Sequence, residues 1–127
     1  MHSMEQEEVI KAILLQLLNA IQTGDVDTYN KLSSVDLTCF EPETQGHPVD
    51  GLPFHQFFIT NSSNEGKYHL ELVRPVIRLL SDEVAYAAYT LIINRVVDGI
   101  FKLKSVNETR IFQKSNGGWK MIHFHRT

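Results

Sequence analysis

SVNETRIFQKSNGGWKMIHFHR, residues 105–126, is the stretch that decides the fold, because it predicts two β-strands joined by a tight turn. Asn116-Gly117 supplies the positive backbone φ angles that a hairpin turn needs. Side chains alternate between the two faces of a strand, so one face is predicted to carry Arg110, Phe112, Ile122, Phe124 and Arg126. The two arginines either reach water from the strand ends or lie in an apolar pocket that binds an anion.

The opposite face of this hairpin is predicted to carry Trp119, Met121, His123 and His125. An aromatic and methionine patch on an outer sheet face is typical of a surface that another subunit buries. The two histidines could begin a metal site, but no third ligand has a clear spacing, so we expect no metal.

Bulk composition limits the classes of protein that the chain can be. Its 127 residues suffice for one domain, and residues 1–4 resemble an expression-tag remnant before a domain at 5–127. The net charge of −3 excludes a general attraction to nucleic acid or to an anionic membrane. A single cysteine, Cys39, fits a reducing compartment, and we expect a cytoplasmic location and no membrane span.

Helical patterns occupy the first half of the chain. Glu5–Thr23 carries a broad apolar stripe and ends at Gly24. Asp25 can cap a short second helix that runs to about Leu32. A third helix is predicted to begin around Leu52-Pro53. The stripe of the first helix consists of Val9, Ile10, Ile13, Leu14, Leu17, Leu18 and Ile21.

Strand patterns fill the rest. Leu37–Glu41 predicts a short strand, and Tyr68–Leu80 a longer one in which Pro75 indicates an edge position, a bulge or a bend. Val84–Val97 is long enough to cross a whole sheet, and Asp98-Gly99 turns the chain into the strand that enters the hairpin. The order predicts an α+β fold, with helices on one face of a curved sheet of four antiparallel strands.

Five blocks of sequence, in one order along residues 5–127, resemble the association (hub) domain of calcium/calmodulin-dependent protein kinase II. A single block would be weak evidence, whereas five with similar spacing are specific. The blocks are GDVDTY at 24–29, LTCFEPE at 37–43, VDGLPFH at 49–55, ETR at 108–110 and HFHR at 123–126.

This resemblance implies a cone-shaped, nuclear transport factor 2-like fold, in which a long N-terminal helix packs on a strongly curved antiparallel sheet. It implies self-assembly into two stacked rings, a dodecamer or tetradecamer, with a dimer as the lesser alternative. It implies no catalytic activity and no cofactor, in a chain that is either an excised kinase C-terminal domain or a free-standing relative. It also implies a pocket for a small carboxylate, lined by Tyr29, His55, Arg110 and Arg126.

One arginine of the family pattern has no direct counterpart, because Leu91 stands at its position. Arg95 lies four residues further on the same strand face and is a further pocket candidate, although about 13 Å away along the strand. Glu41 or Glu108 could neutralise the buried arginines, in which case the ion network could be purely structural.

An enzyme or a small-molecule binder is the alternative class. The same fold houses SnoaL-like isomerases, dehydratases and cyclases, in which a cavity carboxylate or histidine acts as general base. Candidates here are His55 with Tyr29, or Glu41. A cavity lined by arginines nevertheless favours holding an anion over abstracting a proton from a neutral substrate, and fold analogy alone does not establish activity.

Overall fold

The computed structural model describes residues 3–42, 49–53, 56, 59, 66–116 and 118–127. The predicted third helix falls largely on residues outside these ranges, as does His55. Within the described ranges, no helix is long and apolar enough to cross a membrane.

Two helices open the chain, as the sequence predicts. Helix α1 spans Ser3–Thr23 and α2 spans Val26–Lys31. The predicted cap is confirmed, because the Asp25 carboxylate accepts hydrogen bonds from the backbone N–H and the hydroxyl of Thr28, at 3.1 and 2.7 Å. These hydrogen bonds lower the pKa of Asp25.

In the part of the chain that the structure describes, six strands form one sheet in the order β2-β1-β6-β5-β4-β3. The long strands lie close to their predicted bounds. The strands are β1 Ser33–Phe40, β2 Val49–Asp50, β3 Lys67–Leu79, β4 Val84–Val97, β5 Ile100–Ser115 and β6 Gly118–Arg126.

The sheet is not wholly antiparallel, because β1 pairs with β6 in the parallel direction. The other neighbouring pairs are antiparallel. A tight turn forces its two strands to run in opposite directions, but β1 and β6 are far apart in sequence and no such turn joins them. The local sequence pattern therefore could not predict the relative direction of β1 and β6.

Pro75 has the effect that the sequence predicts. Strand β3 lies at the edge of the sheet, where a missing backbone N–H costs least. Its pairing with β4 shifts between Val73 and Val76, and Arg74 takes a φ of 51° there. The bulge absorbs the proline while the pairing continues on both sides of it.

A second bulge corrects the prediction for β6. Phe112 pairs with Met121, but the next residue, Ile111, pairs with His123, so Ile122 is an extra residue on β6. The alternation of faces changes there, and Trp119 and Met121 point into the core instead of the outer face. The predicted subunit-facing patch of Trp119 and Met121 is wrong for this reason.

The core lies between the apolar stripe of α1 and the inner face of the sheet. The stripe is confirmed except for Val9, which is 45% exposed. The indole N–H of Trp119 donates to Gln6 Oε1 at 3.1 Å, which fixes α1 across β6. The principal core side chains are Ile10, Leu14, Leu17, Leu18, Leu37, Ala85, Ala87, Leu91, Val106, Phe112, Met121 and Phe124.

Candidate functional site

A cavity of about 50 Å³ lies between the helices and the inner face of the sheet. This volume suits a few water molecules or a very small ligand. Seven of its lining residues are apolar: Leu18, Ile21, Ile59, Leu91, Ile93, Val106 and Phe124. Six are polar or charged: Gln22, Tyr29, Glu41, Glu108, Arg110 and Arg126.

Arg110 is fully buried near the middle of β5. Its Nε donates to the Tyr89 hydroxyl at 3.0 Å, and its Nη2 lies 3.3 Å from Glu108 Oε1. Its Nη1 lies 3.0 Å from Met121 Sδ, and the guanidinium carbon lies 4.4 Å from the centre of the Phe124 ring. Burial acts to lower the pKa of Arg110, but the charge of Glu108 and the nearby hydroxyls outweigh it and raise the pKa.

Arg126 lies at the end of β6 and is more accessible, with 13% of its side chain exposed. Its Nη2 donates to Glu41 Oε1 at 2.5 Å. Its Nε lies 3.9 Å from Glu108 Oε2, at the outer limit of an ion pair. A ligand that entered this cavity would therefore reach Arg126 more readily than Arg110.

Two buried carboxylates balance the two guanidinium groups. The Glu108 Oε1 atom accepts from the Tyr89 hydroxyl at 2.5 Å as well as from Arg110. The thiol of Cys39 donates to Glu41 Oε2 at 3.3 Å. Burial raises the pKa of this thiol to about 12, and the charge of Glu41 acts in the same direction. With all four groups ionised, the charges of these two glutamates and two arginines sum to zero.

Tyr29 reaches the cavity from α2 and is 1% exposed. Burial raises its pKa, while the charge of Arg110 opposes that rise. The ring is held in place because the Asp25 cap fixes the first turn of this six-residue helix. Tyr29 is thus a neutral hydroxyl beside a buried cation, able to donate to an anion or to accept from Arg110.

The structure brings together three of the five predicted pocket residues: Tyr29, Arg110 and Arg126. His55 lies outside the described residues. Arg95 is not among the residues that line the cavity. Its Nη2 donates to the backbone oxygen and to Oε1 of Gln22, a lining residue, at 3.1 and 2.6 Å. Its guanidinium also lies over the Tyr68 ring, 5.3 Å from the ring centre. Arg95 fastens the C-terminal end of α1 to the sheet, where a cation also complements the helix dipole.

Sequence reasoning missed two contacts of Arg110, those to Tyr89 and Met121. Tyr89 stands directly opposite Glu108 in the pairing of β4 with β5, so the register of these strands could have revealed it. The contact with Met121 could not be predicted, because it depends on the bulge at Ile122 and no turn residue or proline marks that bulge in the sequence.

The outer face of the sheet carries a separate polar and aromatic group. His123 Nδ1 lies 2.7 Å from the Thr38 hydroxyl oxygen. The Phe40 ring packs near the rings of His123 and His125, whose centres lie 6.0 and 5.6 Å from its own. The histidines therefore pack on β1, and within the described ranges no three acidic, cysteine or histidine side chains are placed to hold a metal ion.

The model of the calcium/calmodulin-dependent protein kinase II association domain matches residues 5–127. The chain belongs to this family. The alpha chain of calcium/calmodulin-dependent protein kinase type II from Drosophila melanogaster is 35% identical in an alignment of 128 positions that covers 98% of this chain. The chain spans only about a quarter of the length of such curated relatives, 23% and 24% in two of them.

Solved structures of the family have the same fold. The association domain from C. elegans superposes with a TM-score of 0.89 at 28% identity, covering 97% of this chain and 95% of that chain. The hub homology domain from Chlamydomonas reinhardtii superposes with a TM-score of 0.84 at 34% identity, covering 98% of both chains. A nuclear transport factor 2-like protein from Salmonella enterica reaches a TM-score of 0.81 at 19% identity, which shows the shared fold alone. The predicted α+β, nuclear transport factor 2-like fold is confirmed.

Proposed function

We propose that this association domain assembles copies of itself into two stacked rings, as a dodecamer or tetradecamer, and keeps a pocket for a small carboxylate. The observation that carries the proposal is the family match over residues 5–127, together with hub-domain structures that cover nearly the whole chain. In this role the domain holds chains together and performs no catalysis. The carboxylate of Glu41, a candidate general base, accepts a charge-assisted hydrogen bond from Arg126, which fits this role.

An exposed apolar surface supports assembly. Ile100, Phe101 and Leu103, which we call the hairpin patch, are 60, 80 and 71% exposed near the turn between β4 and β5. Phe101 and Leu103 lie two positions apart and share one face of β5, and Ile100 lies on the opposite face at the end of the strand. Large exposed apolar side chains close together are typical of protein interfaces. We propose that the hairpin patch is buried between copies in the ring.

The native mass of the wild-type protein tests the assembly directly. Native mass spectrometry should give twelve or fourteen subunits. Phe101→Ser should lower this number, since a side chain so exposed contributes little to folding within one copy. Leu80→Ser is the matched control, because Leu80 is 67% exposed at the opposite end of β4. A wild-type dimer would refute the rings, and an unchanged mass for Phe101→Ser would refute the role of the hairpin patch.

Ligand binding is tested by thermal shift with acetate and malonate. A ligand that binds only the folded state raises the melting temperature in proportion to its occupancy. Arg126→Gln should reduce this shift, because Arg126 is the more accessible cation of the cavity. Arg78→Gln removes an exposed arginine from β3 and should keep the full shift. Equal shifts in both variants would refute the pocket.

A further inference from the structure

Strand β5 extends well beyond its neighbour β6, and this leaves part of β5 open on one side. Strand β6 pairs with residues 108–115 of β5, and Asn107 exchanges two backbone hydrogen bonds with Thr127, at 3.0 and 2.9 Å. Residues 100–106, which we call the open edge, pair with β4 on their other side. Among the described residues, no strand lies beside the open edge on the β6 side.

The strand register shows which backbone groups of the open edge are free. The N–H and C=O of one residue point to the same side of a strand, and that side alternates from residue to residue. Asn107 points toward the β6 side, and no register shift interrupts the pairing of β5 with β4. The N–H and C=O of Phe101, Leu103 and Ser105 therefore point away from β4. Within the described ranges these groups have no backbone partner, and all three residues are exposed.

The side chains of the open edge alternate between apolar and basic. Phe101 and Leu103 lie on one face and are 80 and 71% exposed. Lys102 and Lys104 are exposed on the other face, the face that carries the buried Val106 further along the strand. An exposed strand edge with large apolar side chains is a template on which another strand can pair.

The two lysines decide which kind of strand fits. Antiparallel pairing of two open edges would place Lys102 opposite Lys104 of the partner subunit, twice in each pair. Like charges directly opposite one another destabilise a strand pair, and lysines on an edge strand oppose self-pairing. A strand with carboxylates at these positions would instead form cross-strand ion pairs, while its apolar residues would lie beside Phe101 and Leu103.

We propose that the open edge of β5 binds an extended segment of another protein, in which acidic and apolar residues alternate. The segment adds one strand to the sheet and bonds to the free backbone groups of Phe101, Leu103 and Ser105. Its acidic side chains lie opposite Lys102 and Lys104. This binding goes beyond the assembly of rings. The added strand lies beside β5 in the plane of the sheet, so the outer surface of the hairpin patch stays available to a neighbouring copy.

Fluorescence polarisation of a labelled synthetic peptide tests the proposal on the assembled wild-type protein. In the probe, glutamate and valine alternate over about seven residues, the length of the open edge. The probe should bind saturably, and about threefold or more weakly when the salt concentration rises from about 0.05 to about 0.5 M, because salt screens exposed ion pairs. A control peptide with lysine in place of glutamate should not bind.

A proline substitution tests the backbone contact. Ser105→Pro removes one free N–H of the open edge and no hydrogen bond to β4, and proline is tolerated where the N–H faces away from the sheet. It should weaken probe binding by at least about tenfold, because the added strand loses a donor and meets the proline ring. Ser105→Ala is the matched control, since it removes the hydroxyl and keeps the N–H. Thermal unfolding and native mass spectrometry check that both variants stay folded.

A charge reversal tests the side-chain contact and holds even if Ser105→Pro folds poorly. Lys102→Glu with Lys104→Glu should lower affinity for the glutamate probe by at least about tenfold and create binding of the lysine peptide. Lys31→Glu with Arg78→Glu makes the same change of net charge at exposed positions of α2 and β3, and should keep the wild-type preference.

Hydrogen exchange locates the contact. With the probe bound, the amides of Phe101, Leu103 and Ser105 should exchange more slowly, while those of Lys102 and Lys104, which face β4, should not change.

The outcomes separate this proposal from ring assembly. Absence of probe binding to wild type, equal binding of the lysine peptide, or equal affinity in Ser105→Pro and Ser105→Ala would overturn it. A fall in native mass for Ser105→Pro would assign the open edge to a second copy and would also overturn it. A wild-type dimer that binds the probe would refute the rings and support this proposal.

Discussion

Replacing Arg110 by a neutral residue should lower the free energy of unfolding by more than almost any other single substitution in the sheet. Arg110→Met keeps much of the side-chain volume but leaves Glu108, which is 5% exposed, with the Tyr89 hydroxyl and the distant Nε of Arg126. Breaking a buried ion pair from one side costs about 3–5 kcal/mol. Arg126, at 3.9 Å, offsets part of that loss, so we expect about 3 kcal/mol.

The double variant Arg110→Met with Glu108→Gln should recover most of this loss. It removes both charges, and a buried ion pair replaced by neutral groups of similar volume is often nearly neutral in stability. The two substitutions should therefore be strongly non-additive, with a coupling free energy of about 2–3 kcal/mol. Arg78→Met, at an exposed position of β3, is the control and should change stability by less than about 0.5 kcal/mol.

Urea unfolding followed by fluorescence measures these differences, because the chain has one tryptophan and it lies in the core. Protomer concentration must be equal for all variants, since assembly adds to the apparent stability. The buried-pair reasoning would be refuted if Arg110→Met lowered the free energy of unfolding by less than about 1 kcal/mol. It would also be refuted if the double variant were no more stable than the sum of the two single losses predicts.

Three further predictions concern separate parts of the domain. Burial raises the pKa of Cys39 from 9.0 to about 12, so at about pH 8 its thiol should react with a thiol reagent roughly a thousandfold more slowly in the native protein than in urea. Comparable rates in the two states would refute its burial. Burial also raises the pKa of Tyr29 and Tyr89, so both side chains ionise more readily in the unfolded chain than in the folded one. The stability that they contribute is complete below about pH 10 and should fall as the pH rises above it. Denaturant titrations at pH 9 and 11 should show this fall, and a variant with phenylalanine at both positions that falls as steeply would contradict it. Gly66→Ala should destabilise the protein by more than about 2 kcal/mol, because residue 66 has a φ of +81° and the new Cβ would lie 1.9 Å from a backbone oxygen of β4. Gly99→Ala is the control and should cost less in the same urea assay, because nothing lies within 4 Å of its new Cβ.

Much of the fold was predictable because its signals are local. The α1 stripe, the Asp25 cap, the bounds of β4 and the terminal hairpin follow from side-chain periodicity and turn chemistry, which act between residues close in sequence. Pro75 announced the irregular edge strand for the same reason, since it lacks a backbone N–H wherever it stands.

Part of the membership of the candidate site was predictable from the sequence, but its pattern of ion pairs was not. Tyr29, Arg110 and Arg126 line the cavity as the family resemblance implies. The pairing of Arg126 with Glu41 joins residues 85 positions apart, and it exists only because β1 lies parallel to β6. A sequence pattern can name candidate counter-charges, whereas tertiary contacts decide which carboxylate reaches which arginine.

The sequence by itself therefore determined the first two helices, the long strands and the family, because each depends on residue types at short or fixed spacing. Only the tertiary structure decided three features. These are the direction of β1, the extra residue at Ile122 that turns Trp119 and Met121 inward, and the contact of Arg95 with Gln22 near the end of α1. All three depend on which distant strand or helix a residue meets, and that choice minimises unpaired polar groups and buried voids over the whole domain.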